Sequence, residues 1–260
     1  MTSDVSIVIP FFNESDNIER LARLLNNYLG RQPWSAELVF VDDGSVDGSC
    51  DLLKRQVFDA ASARLVRLEK NSGSHAALRA GILQAEGAFI TSLSADLQDP
   101  PELVSELFSK AKEGFDIVFA ARNAGVSRGF DGVFSKWYSK LMKRYAFADY
   151  PENGFDVTLF SADIQKRLNR KIHSRASIFL ELLGFQCKKA FIFYDKKERS
   201  IGKSKWTLSK KIVLFTDSAL RFTHVPAWLK KLLLKPDPSE IFVISQIIPL
   251  AVRIPGTVRS

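Results

Sequence analysis

Asp96 and Gln98 lie between the apolar run Ala88 to Leu93 and the proline pair Pro100-Pro101, and they are the side chains best placed to do chemistry. With an extended backbone they face one side, where both can offer oxygen to a hard divalent cation, Mg²⁺ or Mn²⁺. Mg²⁺ usually takes only one or two carboxylates and completes its shell with water and phosphate oxygens, so this sparse set points to a substrate carrying phosphates. Asp42 ends a second apolar run, Glu37 to Val41. A carboxylate there can accept hydrogen bonds from base or ribose donors, and Gly44 permits close backbone approach. Each group also has a purely structural reading. Asp42 and Ser45 suit capping of the next helix, and Asp99-Pro100-Pro101-Glu102 is a favourable helix start.

These groups act together only if folding gathers them. Val5 to Pro10 predicts a buried strand, Asn13 to Asp16 a turn and helix N-cap, and Ile18, Leu21, Leu24, Leu25 and Tyr28 follow at helical spacing. Glu37 to Val41 repeats the pattern, with a short helix at Leu52 and Leu53. Arg64 to Leu68, Ala88 to Leu93 and Asp116 to Ala121 predict further strands, separated by helices at Gly73 to Ala85 and Pro101 to Ala111. Strands alternating with helices imply an α/β fold with a mostly parallel central sheet and helices on both faces. Pro10 to Glu14, Asp42 to Ser45, Asp96 to Gln98 and Arg122 then all lie just past strand carboxyl ends, where open α/β sheets bind ligands. Beyond Arg122 come a glycine-rich loop at Gly125 to Gly132, an aromatic, basic, amphipathic helix at Phe134 to Tyr145, a late strand at Ala190 to Tyr194 and a helix at Thr207 to Phe222.

The chain of 260 residues is long enough for one main domain with appendages, and its 46% hydrophobic and 25% charged residues exclude disorder as the basis of function. Its net charge is +8, and Ile164 to Lys211 holds fourteen Lys or Arg against three Asp or Glu. An anionic partner is implied, and a solvated basic face is the bland alternative. Cys50 and Cys187 stand far apart, so neither a disulfide framework nor a zinc site is expected, and a reducing cytoplasm fits. The N-terminus reads directly into a strand, which argues against secretion. The best apolar stretch, Ile241 to Val252, is interrupted by Ser245, Gln246 and Pro249 and falls short of the about 18 apolar residues a membrane span needs. His75, His173 and His224 lack ligand spacing and receive no role.

Ile9-Pro10-Phe11-Phe12-Asn13-Glu14, Val41-Asp42-Asp43-Gly44-Ser45, Asn71 and Gly73 before a helix, and Ala95-Asp96-Leu97-Gln98-Asp99-Pro100-Pro101-Glu102 resemble, in order and spacing, the family 2 glycosyltransferases. The likeness covers roughly residues 5 to 225. It is closest to the dolichyl-phosphate mannose synthase-like and bactoprenol glucosyltransferase-like enzymes that load sugars on polyprenyl phosphates. The resemblance implies a GT-A fold and a nucleotide-diphosphate sugar donor, UDP- or GDP-linked. It places Pro10, Glu14, Asp42, Asp43 and Ser45 near the nucleotide, Asp96 and Gln98 on the metal, and Arg122 on the phosphate path. Arg199-Ser200-Ile201-Gly202-Lys203-Ser204-Lys205-Trp206 looks like the family's late basic motif, whose Arg199 and Lys205 hold donor pyrophosphate or acceptor phosphate. Ser94 departs from the pattern, because many relatives carry aspartate there; the loss of one charge puts metal affinity in question.

The implied reaction is inverting transfer to a polyprenyl phosphate, which is already anionic and needs no strong general base. Transfer to a glycan hydroxyl is the alternative; a carboxylate must then take the proton, and Asp156 is the candidate. A non-catalytic nucleotide-sugar-binding protein is the rival from another class. A nucleic-acid partner is not expected, since bare carboxylates at the strand ends repel phosphates. Residues 1–225 are read as the glycosyltransferase domain, with a nucleotide-binding part to about 122 and an acceptor-side part from 123. Residues 226–260 are read as a basic, helical C-terminal extension. Trp228-Leu229-Lys230-Lys231-Leu232-Leu233-Leu234-Lys235 gives this extension an interfacial composition and suggests peripheral docking on the inner face of the cell membrane.

Overall fold

β-branched and aromatic runs flanked by turn residues form the strands, because fully apolar stretches of this kind fit only a sheet covered on both faces. The computed structural model describes residues 2–123, 139–140, 142–144, 146–170, 177–196 and 242–252. The first half contains β1 (Val5–Phe11), α1 (Ser15–Leu29), β2 (Ala36–Asp42), α2 (Ser49–Lys54), β3 (Val57–Phe58), β4 (Ala61–Leu68), α3 (Ser74–Gln84), β5 (Phe89–Ser92), α4 (Glu102–Lys112) and β6 (Ile117–Arg122). The second contains β7 (Phe155–Ser161), α5 (Ala162–Asn169), α6 (Ile178–Gly184), β8 (Lys189–Tyr194), β9 (Ile244–Pro249) and β10 (Ala251–Val252). Residues 139–140 and 142–144, from the expected amphipathic helix, are helical; the Gly125 to Gly132 loop and the Thr207 to Phe222 helix lie outside the described residues.

The main sheet has the order β8-β6-β7-β5-β1-β2-β4-β9, with β3 and β10 forming a separate two-stranded ladder. β1 pairs in parallel with β2 and β5, β2 with β4, and β6 with β8. β7 and β9 run against their neighbours. Side chains alternate between two cores: Val5, Ile7, Ile9 and Phe11 of β1 meet α1 and α4 on one face, while Val8 meets α3 on the other. On α1 the buried residues Ile18, Leu21, Ala22, Leu25 and Leu29 recur at helical spacing, which is why this strongly amphipathic segment docks rather than floats.

Two elements differ from the sequence reading. The sequence reading placed no strand at Asn153-Gly154-Phe155-Asp156, yet Phe155 begins β7, an antiparallel strand wedged between β5 and β6. Apolar Val157, Leu159 and Phe160 are all buried there, and Ser161 then caps α5 by accepting from the Ile164 N–H. The described part of the C-terminal segment is extended where a helix was expected. β9 closes the β4 edge, with the Ser245 hydroxyl on the Arg67 carbonyl at 3.1 Å. Edge pairing tolerates the polar residues and Pro249 that ruled out a membrane span.

α3 sits close on the sheet because residue 81 is glycine. A methyl there would fall 2.3 Å from Val8 Cγ1 and 2.8 Å from Val41 Cγ2. Gly81→Ala gains up to about 1 kcal/mol of helix propensity but overpacks the core at a cost of about 1–3 kcal/mol, so net destabilisation is expected in urea unfolding. On the same helix, burial, reinforced by Arg79, lowers the pKa of His75 to about 4, and Phe179 packs edge-on against its ring at 6.0 Å. The folded state therefore disfavours the imidazolium. This stability is complete above the unfolded pKa near 6.5 and is lost as pH falls toward 4. The stability advantage of wild type over His75→Gln should shrink across that window by up to about 1.4 kcal/mol per pH unit, as measured by denaturation at a series of pH values.

Candidate active site

The parallel register sets Phe11 opposite Asp42 and Val8 opposite Ser92, so the loops leaving β1, β2 and β5 emerge side by side. Polar side chains stitch the first two loops together. The Ser45 hydroxyl accepts from the Asn13 N–H at 2.9 Å, Asn13 Oδ1 accepts from the Val46 N–H at 3.0 Å, and the Ser49 hydroxyl accepts from the Glu14 N–H at 2.8 Å. Asn13 adopts φ 52°, a left-handed conformation that asparagine tolerates. The Glu14 side chain accepts from Asn17 at 2.7 Å at the start of α1, and half-buried Pro10 lies on β1 beside Val41.

The paired aspartates at the end of β2 do different work. Asp43, buried, accepts from the Ser72 N–H at 2.7 Å and the Gly73 N–H at 2.9 Å, which ties the Asn71-to-Gly73 loop to β2. Asp42 is fully buried, and its Oδ1 accepts from the Ser45 N–H at 2.7 Å. Its Oδ2 lies 3.3 Å from the Arg67 guanidinium. The sequence reading had no place for Arg67, because nothing in the alternation of β4 marks it as facing Asp42. Gly44, at φ 73°, is required by the turn: a Cβ there would lie 2.8 Å from the backbone of Lys70 and Asn71.

At the end of β5 the backbone is not extended between Asp96 and Gln98, contrary to the expectation. Leu97 adopts φ 62°, and Asp96 Oδ1 accepts from the Gln98 N–H at 3.2 Å. A tight turn, not strand alternation, therefore brings the two residues together. Positive φ costs a leucine energy and persists only where surroundings enforce it; here the Leu97 side chain packs on the core beneath. The Ser94 hydroxyl also donates to Asp96 Oδ1. The serine thus orients the carboxylate where a second charge was missing. Asp96 is 5% exposed. One carboxylate oriented this way, one amide oxygen and positions left to phosphate and water fit Mg²⁺ or Mn²⁺. Among the described residues no cluster of three or more His, Cys, Asp or Glu forms a denser site.

A third group sits where β6, β7 and β8 meet. Lys196 Nζ lies 2.7 Å from Asp156 and 3.9 Å from Asp99, Arg122 Nε lies 3.6 Å from Asp156, and the Tyr194 hydroxyl donates to Asp99 at 2.9 Å. Burial pushes the Asp156 carboxyl up, but Lys196 and Arg122 outweigh it and hold the pKa below the ordinary value. Burial raises Asp99 against the pull of Lys196. Burial likewise disfavours charge on Lys196, but the two carboxylates outweigh it and raise its pKa. Sequence reasoning missed Lys196 and Tyr194 and took Asp99 for a helix-start charge, since only β7 brings Asp156 to them. Arg199 and Lys205 lie outside the described residues.

The model of glycosyl transferase family 2 matches residues 6–172. The chain is 31% identical to a glycosyltransferase of Synechocystis sp., over 98% of this chain and 82% of the relative. It is 32% identical to the undecaprenyl-phosphate 4-deoxy-4-formamido-L-arabinose transferase of Salmonella choleraesuis, over 88% and 70%. Among solved structures, glucosyl-3-phosphoglycerate synthase of Mycobacterium tuberculosis, bound to Mn²⁺, UDP and phosphoglyceric acid, superposes with TM-score 0.57 at 16% identity, covering 84% of this chain and 76% of that one. A mannosyltransferase of Pyrobaculum calidifontis with GDP-Man and Mn²⁺ gives 0.52 at 18% identity, covering 92% and 66%. These structural likenesses concern the GT-A fold. With strand-end loops, sheet order and family match in agreement, this chain belongs to glycosyl transferase family 2.

Proposed function

We propose that this protein transfers a sugar, with inversion, from a nucleotide-diphosphate sugar to a polyprenyl phosphate. Asp42, beside Arg67 at the end of β2, receives the nucleoside, with Pro10, Glu14, Asp43 and Ser45 shaping or bracing that side. Asp96 and Gln98 would hold Mg²⁺ or Mn²⁺, which when bound supplies charge neutralisation at the diphosphate. Arg199 and Lys205 are assigned the remaining diphosphate contacts from their basic motif. An acceptor phosphate oxygen attacks the anomeric carbon from the face opposite the nucleotide. As that C–O bond forms, the bond to the diphosphate breaks, its electron pair leaves with the diphosphate oxygen, and no proton needs to move. Arg122 faces the acceptor phosphate, and the relative named for undecaprenyl phosphate supports this acceptor class.

One observation favours the phosphate acceptor over a glycan hydroxyl. A hydroxyl needs a base, yet Asp156 is ion-paired to Lys196 and Arg122 and its pKa is lowered, which makes it a poor proton acceptor. Residues 1–225 would form the catalytic domain, and the Trp228 to Lys235 segment would rest on the cytoplasmic membrane surface. Among the described residues no helix is long and apolar enough to cross a membrane.

Incubation with a panel of UDP- and GDP-sugars, Mn²⁺ and short prenyl phosphates or glycan primers tests the reading. Sugar on the prenyl phosphate is expected; sugar on the glycan alone, or no transfer with any pair, overturns it. In the same assay Asp96→Asn should lower kcat by about 10²-fold or more while the unfolding midpoint stays near wild type. For the Lys196–Asp156 pair, Lys196→Met leaves two carboxylates facing each other and should cost about 1–3 kcal/mol in urea unfolding, with Lys196→Met/Asp156→Asn costing less than the sum of the singles.

A further inference from the structure

Beside Arg122 lies a cavity of about 670 Å³. Its size falls within the range of about 300–1,000 Å³ typical of small-molecule sites. Among the described residues it is lined chiefly by Arg122, Lys143, Tyr150, Pro151, Phe191 and Phe193. Its floor is rigid: Phe191 stacks on Phe119 at 5.2 Å, Phe119 meets Phe155 edge-on at 4.9 Å, and Tyr150 leans on Phe155 at 5.6 Å. Phe193, two residues along β8 on the same side, is 63% exposed.

The polar lining is asymmetric. Lys189 donates its ammonium to the Leu183 carbonyl, and Asp149 and Glu152 occupy the turn before β7. Three basic and two acidic groups leave one net positive charge. Arg122 Nε is buried with no hydrogen-bond partner among the described residues, and Asp156 lies 3.6 Å from it, beyond hydrogen-bonding reach. Arg122 therefore belongs both to the Asp156–Lys196 group and to the cavity wall. An anionic head on Arg122 would carry its apolar tail directly over Phe191 and Phe193.

We infer that this cavity holds the first isoprene units of the acceptor, with Phe191 as its floor and Phe193 closing over the chain, so that the protein selects prenyl phosphates by chain length at this site. The inference rests on the prenyl-phosphate reading above. Burial of apolar surface strengthens binding by about fourfold per methylene, so cover over even part of one isoprene unit is measurable.

Equilibrium binding of inorganic phosphate, dimethylallyl phosphate and farnesyl phosphate to the full chain, below the critical micelle concentration, gives the test. Wild type is expected to bind farnesyl phosphate at least about tenfold more tightly than dimethylallyl phosphate. Phe193→Ser, at an exposed position, should reduce that ratio to within about threefold by weakening farnesyl phosphate more than dimethylallyl phosphate. Arg122→Gln should weaken both prenyl ligands by the same factor. If farnesyl phosphate is favoured and Phe193→Ser and Phe191→Ser/Phe193→Ser keep the wild-type ratio, the cavity assignment fails and the acceptor class stands. If no prenyl phosphate binds better than inorganic phosphate while UDP or GDP binds with Mn²⁺, the acceptor class fails and the cavity assignment falls with it.

Discussion

A backbone that leaves a parallel sheet loses its ladder partners, and its buried N–H groups must find acceptors elsewhere. That constraint organises the rim of this molecule. Asp43 takes the N–H groups of Ser72 and Gly73, Asp42 that of Ser45, Ser45 that of Asn13, and Asp96 that of Gln98. Each acceptor is a side chain in or beside one of the motifs, so the residues that characterise the family are also the ones that hold its loops in shape. Asp47 shows the same economy: burial raises its pKa, but hydrogen bonds from Ser49 and Ser15 outweigh it and leave the carboxyl lowered. An oxygen engaged by the backbone is oriented for a ligand at no further entropic cost.

Charge at the rim is likewise divided between bracing and binding. Asp43 has both oxygens on backbone donors, which makes it a brace. Asp42 keeps one oxygen facing Arg67, and Arg122 keeps a buried Nε with no hydrogen-bond partner among the described residues. The cluster of Asp99, Arg122, Asp156, Tyr194 and Lys196 joins the loop that carries Asp96 to β6, β7 and β8, so the β5 loop and these three strand ends are parts of one ion-paired unit.

The parallel half was legible because its signals are local: β-branched runs, helical spacing from Ile18 onward, and acidic or glycine residues at each strand end. The antiparallel strands were not. β7 follows Gly154 and was assigned no element, and its pairing with β5 and β6 depends on contacts remote in sequence. β9 hid behind the very polar residues that argued against a membrane span. The loss of Asp96–Gln98 alternation had a similar cause, since the positive φ of Leu97 is imposed by packing and no residue type announces it. The partners of the motif residues, Arg67, Tyr194 and Lys196, carry no motif of their own and became visible only once the strands were side by side.

The pairing of β4 with β9 also shapes how the chain is made. Ser245 and the Arg67 carbonyl that it caps are 178 residues apart. At ribosomal rates of about 5–20 residues per second, the outer edge of β4 stays bare for roughly 10 to 35 seconds after its own synthesis. During that interval the nascent protein presents an open strand beside a nearly finished sheet, a surface on which neighbouring chains can template. Arg64 and Arg67 put two positive charges on that strand, and charge on an edge strand opposes such templating.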